Sequence, residues 1–219
     1  MISTRDLSGL PNIPSTRRLT QSLALLDAIL CRDWVDRYYS FDSRWAPSQE
    51  MASMRDGCGD LWFCLFFAQG VCLHGLAHES PMYRPDSPWP GILESLPAEF
   101  DVFRNEPAFD TSNTSFCIWR RNSDDRWTCG VTHFEVGSDP DGSAGLLGIL
   151  DGNPATYVDY AASYFEVTVP LAAVEAVYRH DALTPELVAS LNPDVSLHDM
   201  RDDLDEIGYG AHQRTQTDV

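Results

Sequence analysis

The stretch Leu61-Trp62-Phe63-Cys64-Leu65-Phe66-Phe67 constrains the fold more than any other part of the chain. Seven apolar residues stand between turn formers, Asp56-Gly57-Cys58-Gly59-Asp60 before them and Ala68-Gln69-Gly70 after. A run this short, rich in aromatics and closed at both ends by turns, predicts a strand rather than a helix. Residues 71–78 then form a second strand. The tight connection makes the pair an antiparallel hairpin, since parallel strands need a crossover of a dozen or more residues. If residue 67 pairs with 71, Cys64 falls opposite His74.

A second hairpin is expected at 115–121 and 126–134, joined by Asn122-Ser123-Asp124-Asp125. Before the first hairpin, Leu23, Leu26, Leu30, Trp34 and Tyr38 recur at steps of three and four, which predicts a helix over 20–39 capped by Thr20. Prolines at 81, 85, 88 and 90 mark a loop, with a helix expected at 91–104. The last third reads as helical. Asn153-Pro154 is a cap and first-turn pair for a helix to 165, and further helices are expected near 170–179, 184–191 (Thr184 as cap and Pro185 in the first turn) and 196–207. The order predicts an α+β fold, an antiparallel sheet built from hairpins with helices packed around it and a helical C-terminal third. The expected organisation is a loosely ordered arm at 1–19, one α+β domain at 20–209 and a frayed tail at 210–219.

Composition narrows the partners. The 219 residues hold 33 acids against 15 basic residues, all arginine, a formal charge of −18. That balance argues against nucleic acid and against an anionic membrane surface, both of which reward basic patches. The first ten residues lack the apolar core of a signal peptide, and no apolar run approaches the roughly 20 residues of a membrane span. A cytoplasmic protein is expected, its six cysteines reduced and without a CxxC pair.

Two segments invite a metal. On a strand, Cys72, His74 and His78 share one face, and with Cys64 opposite they would suit tetrahedral zinc, Glu79 serving as general base of a hydrolase-type enzyme. The competing reading, preferred here, is a core cysteine beside hydrogen-bonded histidines. Asp139-Pro140-Asp141-Gly142-Ser143 opens like a calcium loop, but the twelfth position is Leu150 where a carboxylate is needed, so a turn and helix start fits better. No nucleophile elbow, Walker loop or dinucleotide fingerprint occurs. No catalytic residue, metal or cofactor is therefore assigned.

The remaining feature is acidic. Asp194, Asp199, Asp202, Asp203, Asp205 and Glu206 are opposed only by Arg201. On a helix, Asp199, Asp202, Asp203 and Glu206 form one stripe whose like charges cost a few tenths of a kcal/mol per pair. A solvated face explains such a stripe, and so does a binding surface. In the second case the partner is a basic protein, such as a toxin domain, with Trp45 and Trp89 as anchors.

The stretches Met51-Ala52-Ser53-Met54-Arg55-Asp56-Gly57-Cys58-Gly59-Asp60, His78-Glu79-Ser80-Pro81-Met82, Trp89-Pro90-Gly91 and Asp139-Pro140-Asp141-Gly142-Ser143 resemble a bacterial family of uncharacterised proteins over about 38–209. That resemblance implies a bacterial cytoplasmic protein and brings no activity with it. In its general character, small, acidic, α+β and rich in tryptophan, the chain also resembles the immunity proteins that neutralise bacterial toxins, including the SUKH class. The function expected is a non-enzymatic, immunity-like module that neutralises or sequesters a basic protein.

Overall fold

The computed structural model describes residues 1–210, and the expected tail lies outside them from residue 211 onward. Six strands form one antiparallel sheet in chain order. They are β1 (Tyr39–Ala46), β2 (Gln49–Arg55), β3 (Leu61–Phe67), β4 (Gly70–Leu76), β5 (Phe116–Arg121) and β6 (Thr128–Cys129). The helices among the described residues are α1 (Ile13–Leu30), α2 (Asp101–Arg104), α3 (Ser143–Leu147), α4 (Pro154–Tyr164), α5 (Leu171–Tyr178), α6 (Pro185–Leu191) and α7 (Arg201–Ile207). The fold is α+β, as the hairpins predict.

Both faces of the sheet are covered. Trp62, Cys64 and Phe66 of β3 turn with Leu73 and Ile118 toward a core built with α1 and the C-terminal helices. Leu65 turns with Cys72, Cys117 and Trp119 toward a second core closed by Met82, Ile92, Leu96, Phe100, Phe103 and Phe109. That cover is the long connection between β4 and β5. A continuous helix expected at 91–104 is instead a series of turns ending in the four-residue α2.

The first helix differs most from expectation. Asn12 caps it, accepting from Ser15 N–H at 2.9 Å, so α1 begins seven residues before Thr20. Residues 13–19 are helix, and the preceding arm is packed rather than loose. Ile2 and Leu10 are buried, Trp127 Nε1 donates to the Pro11 carbonyl at 2.7 Å, and Thr4 N–H donates to Ser143 Oγ at 3.0 Å. The arm shields the short edge strand β6, whose Cys129 Sγ contacts the Thr4 carbonyl at 3.3 Å.

At its other end α1 stops at Leu30, and Trp34 and Tyr38 leave the predicted stripe. Asp33 caps a 3-10 turn at Trp34–Asp36, and Tyr39 starts β1. Between Leu19 and Ile29 the helix is buried all round, wedged between the sheet and α5, α6 and α7. Its polar residues are accordingly bonded: Gln21 Nε2 donates to the Ile207 carbonyl at 2.9 Å and Ser22 Oγ to the Val177 carbonyl at 3.1 Å.

Later helices fall where their caps predict. Asn153 Oδ1 accepts from Ala155 N–H at 3.2 Å and Thr184 Oγ1 from Leu187 N–H at 3.2 Å. The last helix is shorter than the expected 196–207. Ser196–Asp199 is a separate turn in which Ser196 N–H and Oγ donate to the Asp199 carboxylate at 3.0 and 2.7 Å. The second hairpin is also shorter, because β6 holds only two residues.

Candidate functional site

Edge strand β1 is flanked by α7. Ser43 Oγ donates to the Glu206 carbonyl at 2.7 Å, and a β-carbon at Gly208 (φ +68°) would lie 2.8 Å from Ser43 Cβ. The close approach needs glycine. It sets the acids of α7 beside the outer edge of the sheet.

The expected stripe is therefore divided. Asp199 stands in the turn before α7, 3.6 Å from Arg32. Asp203 pairs with the buried Arg37 at 2.5 Å, and Asp205 with the exposed Arg44 at 2.8 Å. Arg37 is fixed further by donating to the Cys31 carbonyl at 2.8 Å. Asp202 is exposed and makes no ion pair among the described residues. Partial burial, with Asp42 and Asp203 nearby, holds the Glu206 carboxyl above its usual range.

At the start of β1 this acidic edge meets two exposed apolar side chains, Trp34 at 48% and Val35 at 74%. Trp34 lines a crevice with Arg37, Ser40, Asp203 and Glu206. The Arg55 guanidinium lies 4.3 Å from its ring centroid. Exposed Asp33 and Asp36 flank the pair in sequence, and Tyr164 OH donates to the Asp36 carbonyl at 2.9 Å. Trp34 was missed in the sequence because its spacing continues the stripe of α1. The Asn12-Ile13-Pro14 start, which moves the whole helix toward the N-terminus, is the signal that could have found it.

The two tryptophans expected as anchors lie elsewhere. Trp45 stacks on Phe109, centroids 5.8 Å apart, and lines a cavity of 850 Å³ with Arg17, Glu50 and Phe67. Trp89 packs against the second core and donates from Nε1 to the His133 carbonyl at 3.1 Å. Arg84 lies over its ring at 4.1 Å.

The cysteine and histidine cluster is dispersed by register. Phe67 pairs with Gly70 rather than Val71, so Cys64 lies opposite Leu73, in the core shared with α1. Cys72 and His74 point to the other face. There His74 is fully buried, its Nδ1 2.8 Å from Thr114 Oγ1, with Phe63 stacked on the ring at 5.8 Å. Burial pushes its pKa down to about 4.

His78 lies beyond the end of β4, with Nδ1 2.7 Å from Asp60 Oδ1, a bond that raises its pKa. Glu79 is 4.0 Å from His78 Nε2. Among the described residues no three His, Cys, Asp or Glu side chains form a group able to hold a metal ion. The Asp139–Ser143 segment is a helix start, with the Asp139 carboxylate accepting from Ala144 and Gly145 N–H at 3.0 and 3.1 Å.

Fold and edge together define a two-cored α+β protein with an aromatic and acidic patch along β1 and α7. No family model, curated protein or solved structure matches the chain. Among the described residues no helix is long and apolar enough to cross a membrane.

Proposed function

We propose that this chain is a non-enzymatic protein-binding module, immunity-like, that sequesters a basic protein on the β1–α7 edge. The observation that carries this reading is the exposure of Trp34 and Val35 between Asp33 and Asp36 in sequence, with Asp203 and Glu206 of α7 lining the same crevice as Trp34. A few hot-spot side chains, enriched in Trp, Tyr and Arg, supply most interface energy, and surrounding charge steers the encounter. Asp203 and Asp205 contribute less than their number implies, because Arg37 and Arg44 already pair with them.

The test is binding to the product of the reading frame adjoining the gene, by stopped flow and calorimetry. Trp34→Ala should weaken affinity by about thirtyfold, the effect of losing roughly 2 kcal/mol at a hot spot. Asp202→Asn with Asp36→Asn should slow association at low salt and flatten its salt dependence. Wild-type rates in both variants would remove the edge as the docking surface.

A further inference from the structure

Two cavities open side by side at the start of α1, sharing Ile13 and Arg17 in their walls. The larger, 850 Å³, is mainly apolar, with Trp45, Pro47, Phe66 and Phe67 among its lining. The smaller, 430 Å³, adds cationic side chains to apolar walls. Arg17, Arg18, Arg179 and His180 line it, and among the described residues no carboxylate does. In a chain with 33 acids and 15 arginines, three arginines gathered on one cavity run against the composition.

The cationic chamber is held by specific contacts. Arg18 Nη2 donates to the Arg179 carbonyl at 2.5 Å, and His180 Nε2 donates to the Arg18 carbonyl at 2.8 Å. The His180 ring stacks on Tyr209, centroids 4.5 Å apart, while its backbone adopts φ +59°. A left-handed backbone is unfavourable for a residue with a β-carbon, and these contacts hold His180 in it. Arg17 is already matched by Glu50, and Arg179 by Asp181. Arg18 forms no ion pair with a described residue, so its charge is available to a ligand.

We infer that the two chambers form one site for an amphipathic organic anion, with its aliphatic or aromatic body against Trp45 and Phe67 and its head on Arg18. Ligand sites combine apolar lining with a few placed polar groups, and here both cavities have apolar walls while Arg18, Arg179 and His180 lie in the smaller one. A guanidinium matches an anionic head in charge and in hydrogen-bond geometry. The inference does not depend on the β1–α7 edge.

Fluorescence titration of the full chain with 8-anilinonaphthalene-1-sulfonate, an aromatic body bearing one anionic head, tests it. Competition by decanoate and by decanol then separates head from tail. Saturable binding is expected, with decanoate displacing the probe at least tenfold more effectively than decanol. Arg18→Gln, an exposed position, should erase that preference and lower the melting temperature by no more than about 4 °C, the effect of losing its bond to the Arg179 carbonyl. Trp45→Ala should weaken both competitors together. Non-saturable binding, equal competition on the wild-type chain, or an intact preference in Arg18→Gln would each overturn the inference.

Discussion

Asp27 is completely buried in the middle of the most enclosed helix, yet all its polar capacity is used. Tyr38 and Tyr39 N–H donate to Oδ2 at 3.0 and 2.9 Å, and Tyr157 OH donates to Oδ1 at 2.8 Å. The carboxyl thus ties α1 to the first residue of β1 and to α4. Burial raises its pKa to about 7 against these donors, which favour the ionised form. Asp27→Ala leaves buried N–H and O–H groups unpaired and should cost roughly 3 kcal/mol or more, measured by urea unfolding. Asp27→Asn keeps an acceptor for the two N–H groups and can pair its amide with Tyr157, so its loss should stay below about 1.5 kcal/mol.

Hairpin register is set where β3 meets β4. Phe67 pairs with Gly70, leaving Ala68 and Gln69 as a two-residue loop. Gly70 joins the strand because its backbone lies so close to β5 that a β-carbon would stand 2.2 Å from the Arg120 carbonyl oxygen. No flexible side chain there can move aside. Gly70→Ala should lower the melting temperature by 5 °C or more and perturb amide exchange in both β4 and β5. An unperturbed exchange pattern would show that the register rests on side-chain alternation alone. The same element explains why Cys64 and His74 do not meet: one residue of slip exchanges the faces of a whole strand.

Across the whole molecule, two buried groups give stability opposing dependences on pH. His74 titrates near 4 when folded and near 6.5 when unfolded, so its contribution is present above 6.5 and lost as pH falls through 4. Asp27, near 7 when folded and about 3.9 when unfolded, contributes below 4 and loses that contribution as pH rises through 7. Between pH 4 and 6.5 the two slopes, each at most about 1.4 kcal/mol per unit, offset one another. Asp27→Asn should therefore make stability rise with pH in that window, and His74→Gln should make it fall. Parallel pH profiles for wild type and both variants, from urea unfolding, would rule this balance out.

Some of this was legible residue by residue. Aromatic runs between turns gave the central hairpin, and Asn153-Pro154 and Thr184-Pro185 gave two helix starts, because strand and cap signals act over a few neighbouring residues. The acids of 194–206 were visible as charge, but their division among Arg32, Arg37 and Arg44 was not, since those partners lie more than 150 residues away. Trp34 carried the spacing of a core residue and is exposed because α1 ends at Leu30, before reaching it. Local sequence determined which elements form. Only tertiary packing decided the register, the exposed tryptophan, the paired carboxylates and the cationic cavity, because each depends on contacts between segments that sequence proximity does not encode.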